Sequence, residues 1–141
     1  LGEIVIRSGL YESVAWGFES GNAFLNCCLE LCTGLGPVEL LKAALEIEEE
    51  LGRKRTVSGK SSGKVTMGAY TDRVIDIDIL LFGQQVLKHK ELTIPHPRMN
   101  ERLFVLMPLE EIAPGLRHPL SGMTIRELRE LCTDRSPIRR L

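Results

Sequence analysis

Apolar and polar positions alternate in two stretches near the start of the chain, and the alternation predicts a pair of strands. The run Ile4 to Glu12 (IVIRSGLYE) is rich in β-branched and aromatic residues, which suit a pleated, half-buried surface. Gly17 to Asn22 (GFESGN) supplies turn chemistry and Phe24 to Thr33 alternates again, so the two runs read as a hairpin. In the second run Leu25, Cys27, Leu29 and Leu31 share one side, and Phe24, Asn26, Cys28 and Glu30 share the other, because side chains change face at every residue. By composition the first set faces the core, and Phe24 and Asn26 point away from it.

The period then lengthens. Gly36-Pro37 opens a helix with proline at its first position and Glu39 near its positive end; it runs through LLKAALEIEEEL and stops at Gly52. Residues 53–71 hold Lys, Ser, Gly and Thr with little apolar content, too long for a simple connection, and read as a flexible lid loop. Val74 to Phe82 (VIDIDILLF) carries the strongest strand pattern and is expected at the centre of the sheet. Two prolines hold Leu92 to Pro97 extended, and Met99 to Met107 reads as helical. Thr124 to Leu131 predicts a terminal helix, since Thr124-x-x-Glu127 is a capping box. Strand, strand, helix, strand, helix describes one α+β domain over residues 1–141, an antiparallel sheet with helices packed on it.

Candidate chemistry centres on Asp76-Ile77-Asp78. A period of two puts both carboxylates on one side, where their mutual repulsion is relieved by a divalent cation; Mg²⁺ is commonly held by one or two carboxylates together with substrate phosphates. A bare D-x-D also suits the solvated side of an edge strand. The surroundings favour the metal reading, because Arg73 precedes the run and Arg53 and Arg55 stand at the mouth of the loop, and guanidinium forks suit phosphate oxygens. His96, held between Pro95 and Pro97, is a candidate donor to a phosphate, and Arg102 is placed to join it. Gly59-Lys60-Ser61 imitates the end of a P-loop, but Lys54 stands where that motif needs glycine. Cys28 and Cys32 fit no common zinc spacing and read as packing.

Composition narrows the partners. The 141 residues include 18 basic and 19 acidic side chains, with 43% hydrophobic and 26% charged residues, an ordinary globular balance that argues against a polyanion-binding face and so against nucleic acid. Four cysteines are too few for a disulfide scaffold at this length and fit reduced thiols in the cytoplasm. No apolar run approaches the ~20 residues of a membrane span, and no signal pattern opens the chain.

The segments DRVIDIDILLFG (Asp72 to Gly83), LTIPHPRMNERLFVLMPLEEIAP (Leu92 to Pro114), ELGRKR (Glu50 to Arg55) and LYESVAWGF with FLN (Leu10 to Asn26) resemble the 6-hydroxymethyl-7,8-dihydropterin pyrophosphokinases over nearly the whole chain. The resemblance implies a ferredoxin-like fold and transfer of pyrophosphate from ATP to the hydroxymethyl group of the pterin, with AMP leaving, in folate biosynthesis. It implies two Mg²⁺ ions on Asp76 and Asp78, and catalytic roles for these two with Arg53 and Arg73. ATP contacts would come from Arg53, Arg55, Arg73, Ile79, Thr93, His96 and Arg102. The pterin would lie between Phe24 and Phe104, with Asn26 and the stretch Ser13, Val14 and Trp16 reading its polar edge.

The family begins with a strand, a glycine-rich turn carrying Gly-Ser-Asn, and a helix; none is found here, so the chain reads as N-terminally incomplete. The loop is longer than usual and lacks a common tryptophan, and Pro97 follows His96 where an aromatic sometimes occurs. Two rival readings are a catalytically silent ferredoxin-like binding module and a ferredoxin-like RNA binder, although the latter calls for exposed aromatics in a basic surround.

Overall fold

The computed structural model describes the backbone of residues 1–14, 23–53 and 75–141, with the side chains of residues 14, 23 and 53 excepted. The predicted turn at Gly17 to Asn22, and residues 54–71 of the predicted lid with the Gly59-Lys60-Ser61 decoy, lie outside the described residues. Two compact units emerge: residues 35–79 with Leu1, and residues 2–34 with 80–141.

In the first unit, α1 (Pro37–Glu48) starts at the predicted proline. The Glu39 carboxylate accepts the Gly36 N–H at 2.9 Å, satisfying one of the amides that a helix start leaves open. The α-helical part ends at Glu48, and Glu49–Arg53 widen into a π-helical turn that carries the helix to the predicted stop. Leu40, Ala44 and Glu48 form its buried stripe.

Residues 75–82 do not form the predicted central strand, and they have no regular secondary structure. The alternation nevertheless survives as burial, with Ile75, Ile77 and Ile79 half-buried and Asp76 and Asp78 exposed. The pattern specified sides but not a hydrogen-bonding neighbour, and the Ile77 N–H is taken by the Glu48 carboxylate rather than by a second strand.

The second unit is built on the predicted hairpin, which is bent. β1 (Glu3–Arg7) pairs with β4 (Leu29–Cys32), and β2 (Tyr11–Val14) pairs with β3 (Ala23–Asn26), both antiparallel. Between the pairs Arg7↔Leu29 and Tyr11↔Asn26, Ser8, Gly9 and Leu10 face only Cys27 and Cys28, a bulge that bends the ribbon. Ser8 closes the bend: its N–H donates to the Cys28 carbonyl and its Oγ accepts the Cys28 N–H, each at 2.9 Å.

Over Leu25 to Leu29 the predicted inward side of the second strand is the outer one, whereas Leu31 is half-buried. Leu25 is 60% exposed and Leu29 41%, and Cys27 is also exposed, whereas Cys28 is buried. Counting apolar residues chose the wrong side because the small Cys28 sits on the side that the helices cover. Burial pushes its thiol up to about 11, so it packs as an apolar group.

β5 (Leu87–Lys88) and β6 (Thr93–Ile94) form a small hairpin, followed by a cis Ile94–Pro95 peptide. The helix predicted over Met99 to Met107 is two elements, a 3₁₀ turn Met99–Glu101 and α2 (Leu103–Ile112), separated by Arg102 in extended conformation. α2 continues through Pro108, which is fully buried. α3 (Ile125–Leu131) begins at Thr124 as its capping box predicts. β7 (Ile138–Arg140), which the pattern did not reveal, adds to the free edge of β2 and gives the order β3-β2-β7.

Met99, Leu106, Leu109, Ile125 and Leu128 make the core of this unit with Cys28 and Cys132. The chain is thus an α+β protein whose strands all pair antiparallel among the described residues. No helix among the described residues is long and apolar enough to cross a membrane.

Candidate active site

In the first unit the helix α1 fixes the backbone between the two aspartates. Glu48 lies on the buried stripe, 4% exposed, and its Oε2 accepts the Ile77 N–H at 2.6 Å. Ile77 is half-buried, and the flanking Asp76 and Asp78 are exposed. Among the described residues no three His, Cys, Asp or Glu side chains gather as a metal cluster. Two exposed carboxylates separated by one residue are a hard oxygen donor set of the size Mg²⁺ uses when phosphates and water complete its shell, so the residues present fit that ion. Ile79 is half-buried. The side chain of Arg53, and Arg55 and Arg73 entirely, lie outside the described residues.

In the second unit a face forms by register alone. Tyr11 pairs with Asn26 and Arg140, and Ser13 with Phe24 and Ile138; directly opposed residues share a face, as do residues two apart. Tyr11, Ser13, Phe24, Asn26, Ile138 and Arg140 therefore share one side of β3-β2-β7. That side is turned to α2, which lies against β2 and β3, since the Tyr11 hydroxyl donates to Glu111 of α2 at 2.7 Å. Ser13 is buried, Asn26 half-buried and Phe24 47% exposed. The Asn26 Nδ2 donates to Ser13 Oγ at 3.2 Å, which orients the amide. The side chain of Val14, and Trp16 entirely, lie outside the described residues.

Phe104 is the second residue of α2. The Arg102 guanidinium lies over its ring, 5.6 Å from the centroid, a cation–π distance. The structure thus brings Ser13 to Asn26 and Arg102 to Phe104. His96 is half-buried and its Nδ1 accepts the Arg98 N–H at 3.2 Å, so the neutral ring carries its proton on Nε2 and presents a donor there. Thr93 is half-buried in β6.

Sequence reasoning missed four supporting residues. Glu48 left a signal, an acidic residue four positions after Ala44 on an otherwise apolar stripe. Glu111, Asp134 and Arg140 left none, because the contacts that tie them to α2 or to the hairpin join residues remote in sequence. Glu111 accepts from Tyr11, from the Gly9 N–H and from Arg140 Nε and Nη2, the last two at 3.1 Å. With Arg140 as the main cause and Tyr11 next, its carboxyl is held down at about 2.

Comparison with known proteins points to one class, the pyrophosphokinases. A model of the 7,8-dihydro-6-hydroxymethylpterin-pyrophosphokinase family matches residues 1–114. A 2-amino-4-hydroxy-6-hydroxymethyldihydropteridine pyrophosphokinase of Aquifex aeolicus is 39% identical over 127 residues, covering 90% of this chain and 72% of that protein. The Porphyromonas gingivalis protein of the same name is 44% identical over 120 residues, 84% of this chain and 76% of its own length. A folic acid synthesis protein of Dictyostelium discoideum is 37% identical over 122 residues, 86% of this chain but 17% of that protein. The chain belongs to the 7,8-dihydro-6-hydroxymethylpterin-pyrophosphokinase family.

Proposed function

We infer that the protein transfers pyrophosphate from ATP to the hydroxymethyl group of 6-hydroxymethyl-7,8-dihydropterin, releasing AMP, as a step of folate biosynthesis. The observation that carries this reading is the family match over residues 1–114, which contains every residue proposed to touch ATP, Mg²⁺ or the pterin. The pterin hydroxyl oxygen attacks the β-phosphorus and releases its proton to solvent, the bond from that phosphorus to the α–β bridging oxygen breaks, and AMP leaves. No protein nucleophile is needed, so positioning and charge stabilisation carry the reaction.

We propose that Asp76 and Asp78 hold two Mg²⁺ ions; bound there, the ions neutralise charge on the phosphate oxygens and orient them. The exposure of both carboxylates beside the pinned Ile77 amide supports this. Arg53 and Arg73 act on the phosphates during transfer, joined in ATP binding by Arg55, Arg102 and the Nε2–H of His96, with Ile79 and Thr93 near the adenine. The pterin ring lies between Phe24 and Phe104, and Asn26, Ser13, Val14 and Trp16 read its polar edge. The shared face of Ser13, Phe24 and Asn26 beneath α2 supports that half.

The fold proposed is ferredoxin-like, one pyrophosphokinase domain over residues 1–141 whose loop at 53–71 closes over ATP and excludes water. Incubating the protein with ATP, Mg²⁺ and hydroxymethyldihydropterin tests the activity: AMP should form only when the pterin is present. Pterin-dependent ADP, or no nucleotide turnover, would contradict it.

A further inference from the structure

The C-terminal segment Asp134 to Arg140 lies beyond the residues matched by the family model, yet it touches both ends of α2. At the start of the helix, Asp134 Oδ2 accepts the N–H of Leu103, its first residue, at 2.9 Å. That amide has no partner within the helix, and it sits between Arg102 and Phe104. The other oxygen, Oδ1, accepts the N–H and hydroxyl of Ser136, which is buried and so anchors the aspartate. At the end of the helix, the Arg140 guanidinium makes paired bonds to the two oxygens of Glu111. A Cβ on Gly9 would come within 2.5 Å of Arg140 Nη2, so the guanidinium lies directly on the bend of the hairpin.

Between these two contacts the segment becomes β7 and sets Ile138 beside Ser13, in one cross-strand row with Phe24. Glu12 and Arg139 add an ion pair at 2.7 Å on the other side of the same ladder. The C-terminal segment therefore fastens the helix that carries Phe104 to the sheet that carries Phe24, Asn26 and Ser13.

We propose that Asp134 and Arg140 are positioning residues that set the gap between α2 and the β2–β3 face, and thereby the affinity for the pterin ring. This rests on the assignment of that face to the pterin. Neither residue touches substrate; each acts through α2, Asp134 at the end flanked by Arg102 and Phe104, Arg140 at the far end.

The test is the Kd of hydroxymethyldihydropterin and, separately, of a non-hydrolysable ATP analogue with Mg²⁺, on folded protein well below its melting temperature. Arg140→Gln should weaken pterin binding about tenfold and change nucleotide binding by less than about twofold, as expected when a supporting contact loosens one half of a site. Asp134→Ala should weaken both ligands, because Arg102 adjoins the released Leu103 amide, and Asp134→Asn should restore part of the loss. Should Asp134→Ala fail to fold, Ser136→Ala carries the same expectation in milder form. Phe104→Ala is the control. If it weakens pterin binding while the Arg140 and Asp134 or Ser136 variants leave Kd unchanged, even with a lowered Tm, the brace is overturned. If Phe104→Ala also leaves it unchanged, the pterin assignment falls and the brace falls with it.

Discussion

Glu48 holds the main-chain N–H of Ile77 at 2.6 Å from a position that is 4% exposed. The helix α1 thus grips the segment between Asp76 and Asp78 by its backbone, and both side chains are exposed. Glu48→Ala would strand a partly buried amide, at a cost of ~1–3 kcal/mol. Glu48→Gln keeps an acceptor oxygen and should cost less. Urea denaturation of the two variants measures the difference; equal, negligible losses would show that the contact contributes nothing.

Asp78 is exposed, so replacing it should leave stability within about 0.5 kcal/mol. Asp76→Asn and Asp78→Asn are each expected to lower kcat ~100-fold or more, by removing a ligand of the ion that stabilises phosphate charge. Steady-state kinetics with a parallel thermal melt separates the two effects. Wild-type turnover in either variant would remove that aspartate from the metal site.

Glu111 gives the protein an acid limit. Its carboxyl is depressed from an ordinary 4.5 to about 2 by the bonds from Arg140 and Tyr11, so the folded state favours the ionised form. Such a group contributes its stability in full above 4.5 and loses it as pH falls through about 2. Glu111→Gln should therefore flatten the dependence of unfolding free energy on pH between these limits. An unchanged acid slope would mean that other carboxylates set it.

Thr124 and Glu127 satisfy each other's backbone at the start of α3: Thr124 Oγ1 accepts the Glu127 N–H at 3.2 Å, and Glu127 Oε1 accepts the Thr124 N–H at 2.8 Å. Thr124→Ala should destabilise the protein by ~1 kcal/mol. Because α3 carries Ile125 and Leu128 into the core, the loss should appear in global unfolding and leave pterin Kd unchanged.

Local signals were the legible ones. Pro37 and the Thr124 box marked two helix starts, and the pairing of the first two strand runs emerged from alternation. Alternation also matches the burial of residues 75–79, with Asp76 and Asp78 both exposed, although residues 75–82 form no strand because a pattern within one segment names no pairing partner. The bulge at Ser8 to Leu10 was hidden for the same reason, since register belongs to two strands together. Leu25 and Leu29 were assigned inward by their chemistry, whereas Cys28 lies under the helices. β7 and the bonds from Tyr11 and Gly9 to Glu111 join residues about a hundred positions or more apart, a distance at which no local spacing can announce a partner.

In the proposed reaction, displacement takes place at the middle phosphorus of ATP. ATP labelled at its β-phosphorus, supplied with Mg²⁺ and hydroxymethyldihydropterin, tests that directly: the label should pass entirely to the pterin product while the nucleotide emerges as unlabelled AMP. Label retained in ADP, with only the terminal phosphate moved, would contradict it.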